Sequence, residues 1–270
     1  MAFSQIPSVY LAFARTSFQM RMQYRVANLA GLTTNFFFLV VQIFVYTGFY
    51  AAAREPQPLS LTDIRTYVVL CQSFLMLMPL WGGRSEIAET VKDGSVALQL
   101  VKPVDFQAYW FADALGTAFY YLLMRSLPTF WLGKLIFGAV FPQQLDIGIA
   151  FAVSMLLAIC LSIAITVSVR SVAFWTLDAT GVNYIAHTVI TFFSGLLVPI
   201  SLWPEWVARI ARWLPFEGLI DIPFSIYLGT LTGVDIWLAI GKQVVWTLVF
   251  IGIGRVLITR GFSRLVIQGG

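Results

Sequence analysis

Leu29 to Ala53 is a run of 25 residues without one Asp, Glu, Lys or Arg, and runs of this kind recur along the chain. A helix rises about 1.5 Å per residue, so about 20 mostly apolar residues cover the hydrocarbon core of a bilayer. Lipid cannot satisfy bare backbone N–H and C=O groups, so such runs cross as helices or as strands of a closed barrel. Barrel strands alternate apolar and polar residues, and these runs do not. Composition agrees: 59% of residues are hydrophobic and 11% charged, with a mean hydropathy of +0.82, where soluble domains carry about 25% charged residues. The expected fold is all-α, a polytopic membrane protein forming a single transmembrane domain over residues 1–270.

Six spans are expected, Leu29–Ala53, Ile64–Trp81, Leu122–Phe141, Ile147–Val169, Val182–Ile200 and Val234–Ile258. An even number leaves both termini on one side. Arg15, Arg21 and Arg25 precede the first span, and Arg84, Lys92 and Lys102 follow the second. Arg170 follows the fourth, and Arg260 and Arg264 the sixth. The positive-inside rule makes these segments and both termini cytoplasmic. The first run is longer than a signal-peptide core and 28 residues precede it, so Ala51–Ala53 is not expected to mark a cleavage site.

Residues 1–28 mix Tyr10, Phe13, Phe18 and Met22 with three arginines and read as an interfacial helix or as a plain positive flank. Apolar residues from Phe106 to Phe141 run too far for one crossing, so Phe106–Tyr121 is expected as an interfacial lead-in. Arg125 then snorkels inward and Lys134 outward, or Asp113 and Arg125 pair in the interior. Between the fifth and sixth spans, residues 198–223 carry Pro199, Pro204, Pro215 and Pro223, which forbid one continuous helix. Short external helices that re-enter the outer leaflet are expected there. Trp203, Trp206 and Phe216 belong to this segment, with Trp206, Val207, Ile210 and Leu214 along one side.

The chemistry is sparse. No GxxxxGK[ST] loop is present, since Gly133–Lys134 and Gly241–Lys242 lack its upstream glycine and following hydroxyl. The single histidine, His187, excludes a multi-histidine metal site, and Cys71 and Cys160 lie in apolar runs as inert thiols. No cofactor and no nucleic-acid partner are expected from a chain of net charge +4. Asn183, His187, Thr191 and Ser194 share one face of the fifth span. Such a stripe lines a translocation path or makes hydrogen bonds between helices. An intramembrane enzyme would need a catalytic dyad, and none is legible. A secondary transporter would place acids deep in its spans, and these are scarce.

One segment breaks the pattern. Residues 82–105 hold seven charged side chains between two apolar runs. Ser85 is suited to cap a short helix over Ser85–Asp93, and Gly94 to end it. Ile87 and Val91 stand four apart as an apolar face, rimmed by Glu86, Glu89 and Lys92, with Asp93 at the end of the helix. A helix this short is marginal alone and needs a surface to dock on, unless the segment is merely a solvated loop.

Asp93–Val104, DGSVALQLVKPV, resembles the stretch after the second span in ABC-2-type transporter permeases, where the pattern reads approximately Gly-Thr-Leu-Asp-x-x-Leu-Leu-Arg-Pro-Val. Gly94, Leu100, Pro103 and Val104 match it, Lys102 replaces the arginine, and Ala97 departs where Asp is usual. Gly195, Pro199, Pro204, Pro215, Phe216 and Pro223 resemble the family's spaced positions before the last span. The resemblance implies the transmembrane permease of an ATP-driven ABC exporter in the bacterial cytoplasmic (inner) membrane. Its implied partners are a separate ABC ATPase that binds ATP and Mg, a second permease (identical or homologous) and membrane lipid. Residues 82–105 then imply a coupling segment that docks on the ATPase. The implied substrate is amphiphilic or hydrophobic, of unread identity.

Overall fold

The computed structural model describes residues 6–81, 86–101, 103–142, 144–176 and 180–263. Among them the secondary structure is helical throughout, without strands. Three helices are long and apolar enough to cross a membrane: α2 (Arg25–Ala52), α8 (Leu145–Arg170), which runs almost directly into α9 (Ala173–Thr176), and α13 (Val234–Phe262). These coincide with the first, fourth and sixth expected spans.

The other expected spans are interrupted, each for a local reason. The second is α3 (Leu61–Phe74) followed by two 3₁₀ turns, Leu75–Leu77 and Pro79–Trp81. Pro79 disfavours helical backbone at the residue before it, and Met78 is extended at φ −100° and ψ 120°. The start of α3 is sharply defined by a capping box between Ser60 and Asp63, worth about 1 kcal/mol. The third expected span continues without a break from its lead-in: α6 (Phe106–Tyr121), a π turn at Leu122–Ser126 and α7 (Leu127–Phe137), which stops at left-handed Gly138 rather than at Phe141. The fifth is α10 (Thr180–Phe193), which ends seven residues before the expected Ile200 because Gly195 adopts φ +87°.

The N-terminal helix α1 (Ile6–Met22) does not stand alone on a lipid surface but lies along α6. A Cβ at Gly116 would fall 2.0 Å from the Ala14 carbonyl, so that glycine lets the two backbones touch. Phe13 meets Tyr109 edge-on at 4.9 Å, and Phe18 packs against Phe119 and Tyr120. The centre of the molecule is α8, with Leu161, Ile163 and Ala164 fully buried. Its packing with α13 is fixed by Gln243, which donates to the Ser154 and Gly218 carbonyls at 3.0 and 2.7 Å. Outer faces of α2 and α13 expose Phe37, Phe44, Trp237 and Leu248, an apolar surface suited to lipid or to another subunit.

Candidate functional site

The charged segment folds into α4 (Glu86–Lys92) and α5 (Val96–Leu100), separated by left-handed Gly94. Asp93 accepts the Ser95 N–H at 2.9 Å, and its bonds to Ser95 hold this exposed carboxyl below its usual range. Ser85 and Lys102 lie outside the described residues, as do the side chains of Glu86 and Lys92. Ile87 is 1% exposed and Val91 is also buried, but against the chain's own Phe106, Trp110, Ile163 and Phe174. This corrects the expectation that their face is offered to a partner. The nearest apolar surface is the underside of the bundle, and a seven-residue helix needs that burial to persist. What faces outward is Glu89, Asp93, Gly94 and Pro103, with two apolar side chains between them: Leu98, 71% exposed, and Val101, 84% exposed. The exit of the segment is anchored. Asp105 caps α6 through the Ala108 N–H, pairs with Arg255 of α13, and donates its own N–H to Tyr10 of α1. Partial burial opposes ionisation there, but Arg255 and the Ala108 N–H hold the carboxyl below its usual range.

On α10, Asn183, His187 and Thr191 are half-buried and Ser194 is buried, on the side that also buries Ile190, while Tyr184, Ile185 and Phe192 face out. Beyond α10 the chain is broken: a 3₁₀ turn Ile200–Leu202, then α11 (Glu205–Trp213), a 3₁₀ turn Phe216–Gly218, and α12 (Asp221–Tyr227). Pro204 sits at the N-cap of α11, and Pro199 and Pro215 are buried at the corners. The side of α11 turned inward is the small-residue one. Ala208 and Ala211 are buried against Ile200, whereas Trp206, Ile210 and Trp213 are exposed. Small alanines permit the close approach, and the large amphipathic rings are left where a membrane interface suits them. Trp203 stacks 4.9 Å from Phe192, tying this segment to α10.

Asp221 organises the segment. Its carboxylate accepts the Ile200 N–H at 3.0 Å, and its own N–H donates to the Ser194 carbonyl. Tyr67 donates to the Gly195 carbonyl at 2.9 Å and lies 3.4 Å from the Asp221 carboxyl. Burial pushes Asp221 up to about 6. Gly195 is required twice over, by its positive φ and because a Cβ there would sit 2.8 Å from the Tyr67 hydroxyl. Close by, Glu217 pairs with Lys242 of α13.

A further polar constellation was not foreseen. Pro128 has no N–H to offer the Met124 carbonyl four residues back, and the ladder shifts to a π turn in which Leu127 donates to Leu122. The Met124 carbonyl is taken instead by Asn28 Nδ2 at 3.3 Å. Within the turn, Arg125 points into the protein, 7% exposed. It neither snorkels nor pairs with Asp113; its Nη2 donates to Asn35 Oδ1 at 2.9 Å, and Asp113 accepts from Ser17 of α1. Asn35 donates onward to the Gln72 carbonyl, and Gln72 to Gln42. Asn28, Gly31, Asn35 and Gln42 fall at i, i+3, i+7 and i+14 on α2, a polar face that was available in the sequence.

The profile of the ABC-2 family transporter proteins matches residues 33–269. No curated protein matches the chain. The match spans most of α2, all of α8 and α13, the charged segment and the broken segment before α13, and such proteins are membrane transport subunits rather than catalytic ones, associated with an ABC ATPase subunit. This membrane-embedded chain belongs to the ABC-2 family of transporter permeases.

Proposed function

We propose that the chain is the permease subunit of an ATP-driven exporter, crossing the bacterial cytoplasmic membrane six times with both termini inside. It moves an amphiphilic or hydrophobic substrate outward while a separate ATPase binds ATP and Mg. A second permease, identical or homologous, completes the membrane core. The supporting observation is the seating of α4: its apolar face is locked into the bundle while Glu89, Asp93, Leu98 and Val101 face away. A displacement imposed on that outer face is passed to α6, α8 and α13 through Ile87 and Val91, biasing the spans between inward- and outward-facing states. Affinity for the ATPase rests on Leu98 and Val101 as anchors, and the charges around them set encounter rate and register. The half-buried stripe Asn183, His187 and Thr191 borders the translocation path.

Capture of the cognate ATPase by detergent-solubilised permease tests this reading. Leu98→Asp should lower recovery at least tenfold at any salt concentration. Glu89→Lys should weaken capture more at low salt, because exposed charges are screened over about 8 Å at physiological ionic strength. Undiminished recovery with both variants would remove the docking assignment.

A further inference from the structure

We propose that an open cavity between α1, the start of α2, α6 and the π turn binds the phosphate-bearing headgroup of an anionic amphiphile. The cavity is about 400 Å³ and is lined by Arg21, Asn28, Asp113, Thr117, Tyr120 and Arg125. A guanidinium stays protonated in proteins, so Arg125 carries a full charge into a site where it is 7% exposed. Among the described residues no carboxylate forms an ion pair with it; Nη2 has Asn35, and Nε has no acceptor. Thr117 Oγ1, on the same wall, also lacks a partner. A buried charge without a counter-ion is costly, and an anion entering the cavity supplies one.

The site is built rather than incidental. The guanidinium lies flat on α2 because Gly31 has no side chain; a Cβ there would fall 2.6 Å from Nη2. The Tyr121 ring, 5.6 Å from Arg125 Cζ, supports it from another side. The planar fork is thereby fixed, the condition under which Arg recognises phosphate bidentately. Arg21 brings a second positive charge to the cavity and Asp113 one negative charge, already engaged by Ser17.

Position and rim select an amphiphile. Gly31 lies six residues, roughly 9 Å, along α2 from Arg25, close to the depth where lipid phosphates give way to acyl chains. Met20, Phe119 and Leu123 are exposed beside the cavity and offer apolar surface to the tails. Binding here does not require ATP coupling, so it is measurable on the purified chain.

The experiment is thermal unfolding and native mass spectrometry of the full-length permease in detergent, with phosphatidylglycerol, diacylglycerol or inorganic phosphate added. Phosphatidylglycerol should be retained and should raise the unfolding temperature; diacylglycerol should do neither. Arg125→Gln should weaken phosphatidylglycerol at least tenfold while leaving the lipid-free protein as stable as before. Gly31→Ala, which keeps every charge and pushes the guanidinium off its bed, should weaken it several-fold and carries the test alone if Arg125→Gln is not recovered. Undiminished affinity in the variant recovered, or equal binding of diacylglycerol, would overturn the proposal. Inorganic phosphate binding as tightly as the lipid would overturn the amphiphile assignment.

Discussion

At the scale of single residues, several buried polar groups of this membrane chain make tertiary contacts that span long sequence separations. Asp221 holds Ile200 and the Tyr67 region through its carboxyl group and Ser194 through its backbone N–H. Burial disfavours ionisation of that carboxyl more strongly than the Ile200 N–H and the Tyr67 hydroxyl favour it. The group is thereby raised from its ordinary 3.8 to about 6. A raised acid binds its proton more tightly folded than unfolded, so the stabilisation is complete below pH about 4 and is lost as pH rises through about 6. The span of the effect is about 3 kcal/mol. Thermal unfolding temperature should therefore fall between pH 4 and 7, and Asp221→Asn, which keeps an acceptor for the Ile200 N–H, should flatten much of that slope. A slope identical in the variant would locate the titration elsewhere, with Glu217 the next group to examine, since burial raises it against the pull of Lys242.

At the scale of elements, the short helices derive their stability from what they are pressed against. Ile87→Ala deletes a fully buried side chain from the contact of α4 with α6, α8 and α9 and should cost roughly 2–5 kcal/mol. It should lower the unfolding temperature of the permease with no ATPase present. Leu98→Ala, on the outer side of α5, should change the stability by less than about 0.5 kcal/mol. Equal effects would mean that α4 is not seated in the bundle. The same helix shows how far sequence carried. The spacing of Ile87 and Val91 marked an apolar face, but periodicity tells which side is buried and not against what. The long apolar helices α2, α8 and α13 were legible because nothing interrupts their hydrogen-bond ladders. The breaks at Met78, Leu122–Ser126 and Gly195 were not, although Pro79, Pro128 and Gly195 are their local causes, because each depends on how the freed backbone groups find partners elsewhere. For Arg125 the sequence offered an interface or a pairing with Asp113, because it shows charges and not the asparagine 90 residues away that receives the guanidinium. The broken character of residues 198–223 was readable from prolines alone; the inward turn of Ala208 and Ala211 was not, since the larger rings dominate any reading by hydrophobicity.

At the scale of the whole molecule, the proposed topology puts the end of α13 and the turn before α11 on opposite sides of the membrane. Single cysteines at Ser263 and Ser201, both exposed, should react with an impermeant maleimide from the cytoplasmic and external sides respectively. Labelling of both from one side would rule out that arrangement. Between those sides runs α8, whose first half packs through Ile147, Ala150 and Phe151 against Ile222 and Ile226 of α12. Its second half packs through Ile163 and Val167 against Ile87 and Val91 of α4. A helix of 26 residues is roughly 39 Å long and stiff along its axis. It therefore behaves as a push-rod: a tilt of a few degrees at the end gripped by α4 displaces the α12 end by ångströms, without any relay of side-chain rearrangements. In the proposed topology, motion delivered beneath the bilayer is thus geared directly to the broken helices on the far side.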